Sequence, residues 1–145
     1  VLKRASSWIA VAAWLLFSVA FVLPAVEVGM GGRLDPGWQA AVAAAYGVFL
    51  MREAPLLGIL MTASEATNVV MLLSPASIAR RRSGAQLRRA AVLLIVAGSV
   101  NALWMIGGGR FGPGYYLWVA SFGLMAAALL LRAREIRARA GDQTF

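Results

Sequence analysis

The sequence predicts an all-α membrane protein: a four-transmembrane-helix bundle with a short interfacial or re-entrant helix between spans one and two. Three observations carry this expectation. Hydrophobic residues make up 61% of the chain and charged residues 14%, against roughly a quarter charged in soluble domains. Four apolar stretches approach or exceed the length of about 18 residues that crosses a hydrocarbon core roughly 30 Å thick. The basic residues gather beside the ends of those stretches, as they do at the cytoplasmic ends of membrane spans. The 145 residues read as a single transmembrane domain, 1–145, too short for a soluble domain as well.

Span one is expected over about Trp8 to Val26, an uncharged run bounded by Pro24 and Glu27. Lys3 and Arg4 ahead of it imitate a signal peptide, but the run is long for one and no good small-residue cleavage site follows. A Gly-rich turn from Gly29 to Gly37 is too polar to lie in lipid. Trp38 to Met51 is a helix-like stretch of marginal length, followed by the charged pair Arg52-Glu53. Span two then runs from Pro55, a residue suited to a helix start, to Pro75. Span three covers about Ala90 to Gly108, and the turn Gly109–Gly114 leads into span four, about Tyr115 to Leu131.

Charge decides between four crossings and five. Lys3 and Arg4 precede span one, while Arg80, Arg81, Arg82, Arg88 and Arg89 follow span two. If both groups are cytoplasmic, an even number of crossings separates them. Trp38 to Met51 then lies in the outer interface or dips in and returns. With Arg132, Arg134, Arg137 and Arg139 after span four, all of the 14 Lys and Arg residues except Arg33, Arg52 and Arg110 fall inside. Both termini are therefore expected to be cytoplasmic. Trp8 marks the inner side, and Trp38, Tyr115, Tyr116 and Trp118 the outer one, where amphipathic rings sit.

Composition also excludes function classes. A net charge of +8 suits phosphate backbones, but its clustering at span ends points to anionic lipid headgroups, not to nucleic acid. Without Cys or His there are no disulfides, no thiol chemistry and no Cys/His metal or haem ligation, so no metal or cofactor is expected. An intramembrane enzyme would need a nucleophile and a base, and no such pair stands out. Gly107-Gly108-Gly109 lacks the Lys and context of a phosphate loop and reads as a turn. Gly98-x-x-x-Ala102 and Gly123-x-x-x-Ala127 have the small-xxx-small spacing of close helix crossings.

Glu65 is the most informative residue. It lies mid-span within Thr62-Ala63-Ser64-Glu65-Ala66-Thr67-Asn68, where a charged acid costs roughly 2.5–3.5 kcal/mol. It should be neutral, paired or facing a wet cavity. No basic residue falls within any span, and Asn101 of span three lies at similar depth. The sequence therefore predicts a Glu65–Asn101 pairing, extended by Asn68 and Thr62 into a polar intramembrane seam.

The pieces Phe21-Val22-Leu23-Pro24-Ala25, Gly37-Trp38, Ala54-Pro55-Leu56-Leu57 and Gly114-Tyr115-Tyr116-Leu117-Trp118-Val119-Ala120-Ser121 occur in this order. They resemble a scattered group of small four-span bacterial inner-membrane proteins of no known activity. The resemblance implies the same topology and a bacterial cytoplasmic membrane. That group often has an Asn before the span-two proline; Ala54 stands there, so no role of that Asn carries over. Small multidrug-resistance transporters also combine four short helices with one membrane acid. Theirs lies in the first helix, whereas Glu65 lies in the second. The expected function is a non-enzymatic membrane subunit or accessory protein, packed against a larger membrane partner or itself. The alternative is a small proton- or cation-coupled transporter or channel using Glu65.

Topology is checked by cysteine labelling. Single cysteines at Gly84 and Gln143 should be reached only from the cytoplasmic side, and one at Gly31 only from outside. An external signal at Gly84 would mean a further crossing at Trp38 to Met51.

Overall fold

The structure, a computed structural model, describes residues 2–27, 32–79, 83–107 and 109–141. Arg80, Arg81, Arg82 and the side chain of Arg139 lie outside the described residues. The chain is mostly helical. Three helices, α4 (Pro55–Ala79), α5 (Gly84–Leu103) and α6 (Pro113–Gly141), are long and apolar enough to cross a membrane. The first, α1 (Leu2–Ala20), is shorter in its apolar part, Ala5–Ala20. Less than a third of the most apolar windows of α4 and α5 is buried inside the chain, so most of their apolar surface points outwards. A water-soluble bundle would turn it in.

Helix α1 ends at Ala20, six residues before Val26, the expected limit of span one. Pro24 disfavours helix in the residue ahead of it, and Pro24–Val26 forms a short strand, β1, antiparallel to β2 (Asp35–Pro36). Carbonyls and amides left over by the helix ends meet here. The Phe21 and Leu23 carbonyls accept from the Trp38 and Gly37 amides at 2.9 and 3.1 Å, and the Ala25 carbonyl accepts from Gly112 N–H at 2.8 Å. Backbone pairing of this kind satisfies the polar groups of a non-helical segment.

The expected helix at Trp38 to Met51 is two pieces, α2 (Gly37–Ala45) and α3 (Gly47–Leu50), divided at Tyr46. Both pack on α4, α3 against its first half at Gly58, Met61 and Thr62. The α3–α4 crossing is close because two glycines meet there: a Cβ at Gly58 would stand 2.7 Å from the Gly47 carbonyl oxygen.

Helix α4 carries on past Pro75, the expected end of span two, to Ala79, and the candidate membrane span within it is Pro55–Ala76. Proline has no N–H for the carbonyl four residues back, here Met71. The Ser74 hydroxyl donates to that carbonyl at 2.7 Å in its place. Helix α5 starts at Gly84, ahead of the expected Ala90, on a capping box in which Ser83 and Gln86 satisfy each other's backbone amides at 3.3 and 3.0 Å. After Leu103 it tightens into a 3-10 turn, Trp104–Gly107. Helix α6 carries on past Leu131 through the Arg-rich tail.

Helix α6 is the centre, with α1 and α5 on either side of it and α4 packed on α5. The core joins Ala10, Ala13 and Phe17 of α1 to Leu87, Ala91, Leu94 and Ala97 of α5, through Phe122, Met125, Ala126 and Leu129 of α6. Among the described residues α4 adds Met71, with the partly buried Val70 packed against the core. Ser6 of α1 meets Glu135 of α6, so the two helices run antiparallel, and the start of α1 shares an end of the bundle with Arg134 and Arg137.

Gly98 and Gly123 behave differently from each other. A Cβ at Gly98 would lie 3.2 Å from the Phe122 Cβ, whereas one at Gly123 would have nothing within 4 Å. Gly98→Leu should therefore cost about 1–3 kcal/mol by overpacking, while Gly123→Leu should leave the fold of the single chain unchanged. Thermal unfolding of the detergent-solubilised protein distinguishes the two.

Candidate functional site

The face that α4 turns to the bundle is polar. Ser64, Thr67, Asn68 and Ser74 are buried along it, with Met71 between them, following the i, i+3, i+4 spacing of one helix face. Such a face gains little from apolar burial, and its hydrogen-bonding capacity has to be met inside the bundle. Three side-chain bonds do this. Trp104 Nε1–H donates to Ser64 Oγ at 2.8 Å, Asn101 Nδ2 to Thr67 Oγ1 at 2.8 Å, and Trp118 Nε1–H to Asn68 Oδ1 at 2.9 Å. Thr67 returns its own proton to the Ser64 carbonyl at 2.6 Å. The Tyr115 hydroxyl donates to the Asn101 backbone carbonyl.

The predicted seam is thus regrouped. Asn101 donates to Thr67, not to Glu65. With Ser64, Thr67 and Asn68 turned inwards, Glu65 stands about 60° round the helix from Asn68, at the edge of the packed face. It is only half-buried, and Oε2 accepts from Asn68 Nδ2 at 2.9 Å. Asn68 is therefore the shared member, bonded to Glu65 on one side and Trp118 on the other. Thr62 Oγ1 and Asn101 Oδ1 are buried without a hydrogen-bond partner among the described residues.

The outer aromatic belt is corrected too. Tyr116 and Trp38 are exposed, but Tyr115 is buried and Trp118 packs against the core. Their rings belong to a run in edge or tilted contact, Phe111–Tyr115–Trp118–Phe122–Phe17–Phe21. The polar tips that suit an interface serve buried acceptors instead.

Sequence reasoning missed Glu135. It is 6% exposed, accepts from Ser6 Oγ at 3.2 Å, pairs with Arg132 at 3.0 Å, and its Oε1 has no partner among the described residues. One signal was available: Ser6 extends the Ala10, Ala13, Phe17 stripe at helical spacing, so the partner helix had to answer a buried hydroxyl. Of the basic residues, Arg132 is engaged in this pair, while Arg88, Arg89, Arg134 and Arg137 are exposed. Arg88 and Arg89 border a shallow groove with Val92 and Leu93 on the outer side of α5. At the opposite end, Arg110 reaches Glu27 at 3.7 Å and the Gly32 carbonyl at 3.0 Å, while Gly32 N–H donates to Glu27 at 2.8 Å.

Among the described residues no group of three His, Cys, Asp or Glu side chains gathers to hold a metal ion. No protein-family model matches the chain, and no curated protein or solved structure is significantly similar to it. The likeness to small inner-membrane proteins thus rests on the short motifs alone.

A double-mutant cycle checks the regrouped seam. Thr67→Val and Asn101→Ala should show a coupling of about 0.6–1.7 kcal/mol, the range of interhelical hydrogen bonds in membranes. Glu65→Gln and Asn101→Ala should be additive. Coupling in the second pair but not the first would restore the Glu65–Asn101 contact.

Proposed function

We propose that this protein is a non-enzymatic subunit or accessory protein of the bacterial cytoplasmic membrane. It crosses four times with both ends on the cytoplasmic side, and acts by packing sideways against another membrane chain. The fourth crossing is α1. Its apolar stretch, Ala5–Ala20, spans about 24 Å at 1.5 Å per residue, and the extended, backbone-paired residues up to Val26 supply the remainder of a core roughly 30 Å thick. Arg88, Arg89, Arg134 and Arg137, exposed at the end of the bundle where α1 begins, suit the anionic headgroups of an inner leaflet.

One observation carries the functional part. Glu65 lies about 15 Å from either end of the Pro55–Ala76 segment, yet it is only half-buried, at the edge of the packed face. Its hydrogen-bond partner among the described residues is Asn68, one turn along the same helix. An acid at this depth is costly unless another group satisfies it. A laterally packed chain supplies that group.

The test is site-specific photo-cross-linking in native membranes from position 69, one turn beyond Glu65 on the same side. It should yield an adduct with a membrane polypeptide, weakened by Glu65→Leu. If there is no adduct, and Glu65→Gln abolishes proton- or cation-driven flux in proteoliposomes while sparing the fold, a transporter reading takes its place.

A further inference from the structure

Gly58, Thr62, Glu65, Val69, Leu72 and Ala76 follow one another along α4 at alternating spacings of four and three. That is the register of a helix seam meant for a second helix. Its first half is filled from within the chain, by α3: Gly47 approaches Gly58, Met61 and the Thr62 amide. Its second half is open. Val69 and Leu72 are 52% and 53% exposed, Glu65 and Ala76 are half-buried, and Glu65 stands where filled seam gives way to open seam.

We propose that the open half, Glu65–Val69–Leu72–Ala76, is the contact face of a two-fold dimer with a second copy of this chain, in which the two Glu65 carboxyls hydrogen-bond to each other. The proposal rests on the reading of α4 as a membrane crossing and of Glu65 as a lateral contact. It adds the identity of the partner.

The case for a second copy is chemical. Two copies inserted in the same direction are related by an axis along the membrane normal, so each residue meets its own equivalent at its own depth. The interface is then isologous, and what faces it must complement itself. A protonated carboxyl does so, being one O–H donor with acceptor capacity left over. Each hydroxyl donates to the other carboxyl's Oε2, whose second lone pair takes Asn68 Nδ2, already bonded there at 2.9 Å. No proton is lost and no ion is left in hydrocarbon. A different protein would have to bring a polar group to this depth; the second copy already carries one. Ala66, exposed beside Glu65, puts no bulk in the way of close approach.

The chain has no cysteine, which makes the trial direct. Val69→Cys and Leu72→Cys should each form a disulfide-linked dimer on mild oxidation of intact membranes. Val92→Cys and Ile95→Cys, on the exposed side of α5, should not. In the Leu72→Cys background Glu65→Gln should keep the dimer, since an amide also pairs with itself. Glu65→Leu should lower its yield about eightfold or more, the factor set by losing the two reciprocal interhelical hydrogen bonds. An unchanged unfolding temperature of the Glu65→Leu protein in detergent separates lost pairing from lost fold, and if that temperature falls, Glu65→Ala takes its place in the same comparison. Equal cross-linking at positions 72 and 92, or an undiminished dimer with neither Glu nor Gln at position 65, overturns the proposal. If position 72 gives no disulfide while the photo-cross-linker at position 69 captures a different membrane polypeptide, the second copy is wrong and the lateral-subunit reading stands. If neither forms, both fall.

Discussion

Helix α4 presents an inner face made of Ser64, Thr67, Asn68, Met71 and Ser74, and the arrangement of the bundle depends on satisfying it. Lipid tails are as apolar as leucine, so helices in a bilayer do not associate to hide apolar surface; packing and interhelical hydrogen bonds hold them. The three bonds from Trp104, Asn101 and Trp118 set the rotation of α4 about its own axis. That rotation in turn decides what points outwards. Glu65 reaches the edge of the bundle because Thr67 and Asn68 have taken the inside. The acid is outward as a consequence of where three neutral polar groups found their donors.

The same economy governs the end of the bundle where α1 stops. Helix α1 ends early at Ala20, which leaves its last carbonyls without helical partners. They are met by the first amides of α2 and by the Gly112 amide just ahead of α6. The start of one helix thus closes the end of another, because the donors that a helix N-terminus leaves over match the acceptors left over at a C-terminus. Pro75 poses the same problem within α4, and the Ser74 hydroxyl meets it locally. In each case the backbone departs from regular helix only where a named group takes over the lost bond.

The two buried or half-buried acids of the helices have opposite settings. Glu135 sits near the basic end of the bundle with Arg132 beside it and the Ser6 hydroxyl opposite, an internal tie between α1 and α6. Glu65 sits near the middle of the candidate span Pro55–Ala76, with the Asn68 amide as its partner and no ion pair among the described residues. A paired acid at an interface joins parts of one chain; an unpaired one at mid-depth calls for something from outside it. That contrast makes Glu65, not the more deeply buried Glu135, the starting point for function.

Sequence alone determined the helical class, the approximate limits of the three long apolar helices, the clustering of basic residues and the importance of the Thr62–Asn68 segment. These are properties of composition and of runs, which survive any rotation of a helix about its axis. The spacing shared by Gly98 and Gly123 was legible too, but not which of the two lies at a close crossing. Tertiary structure decided what depends on that rotation: that Asn101 answers Thr67 and not Glu65, that Tyr115 and Trp118 turn inwards, that Gly123 faces open space, and that Glu135 is buried against Ser6. The α4 sequence carries polar residues over more than half the helix circumference between Thr62 and Asn68, so several rotations satisfy its pattern equally. Only the positions of the Trp104, Asn101 and Trp118 donors on neighbouring helices, contributed from more than thirty residues away in the chain, select one.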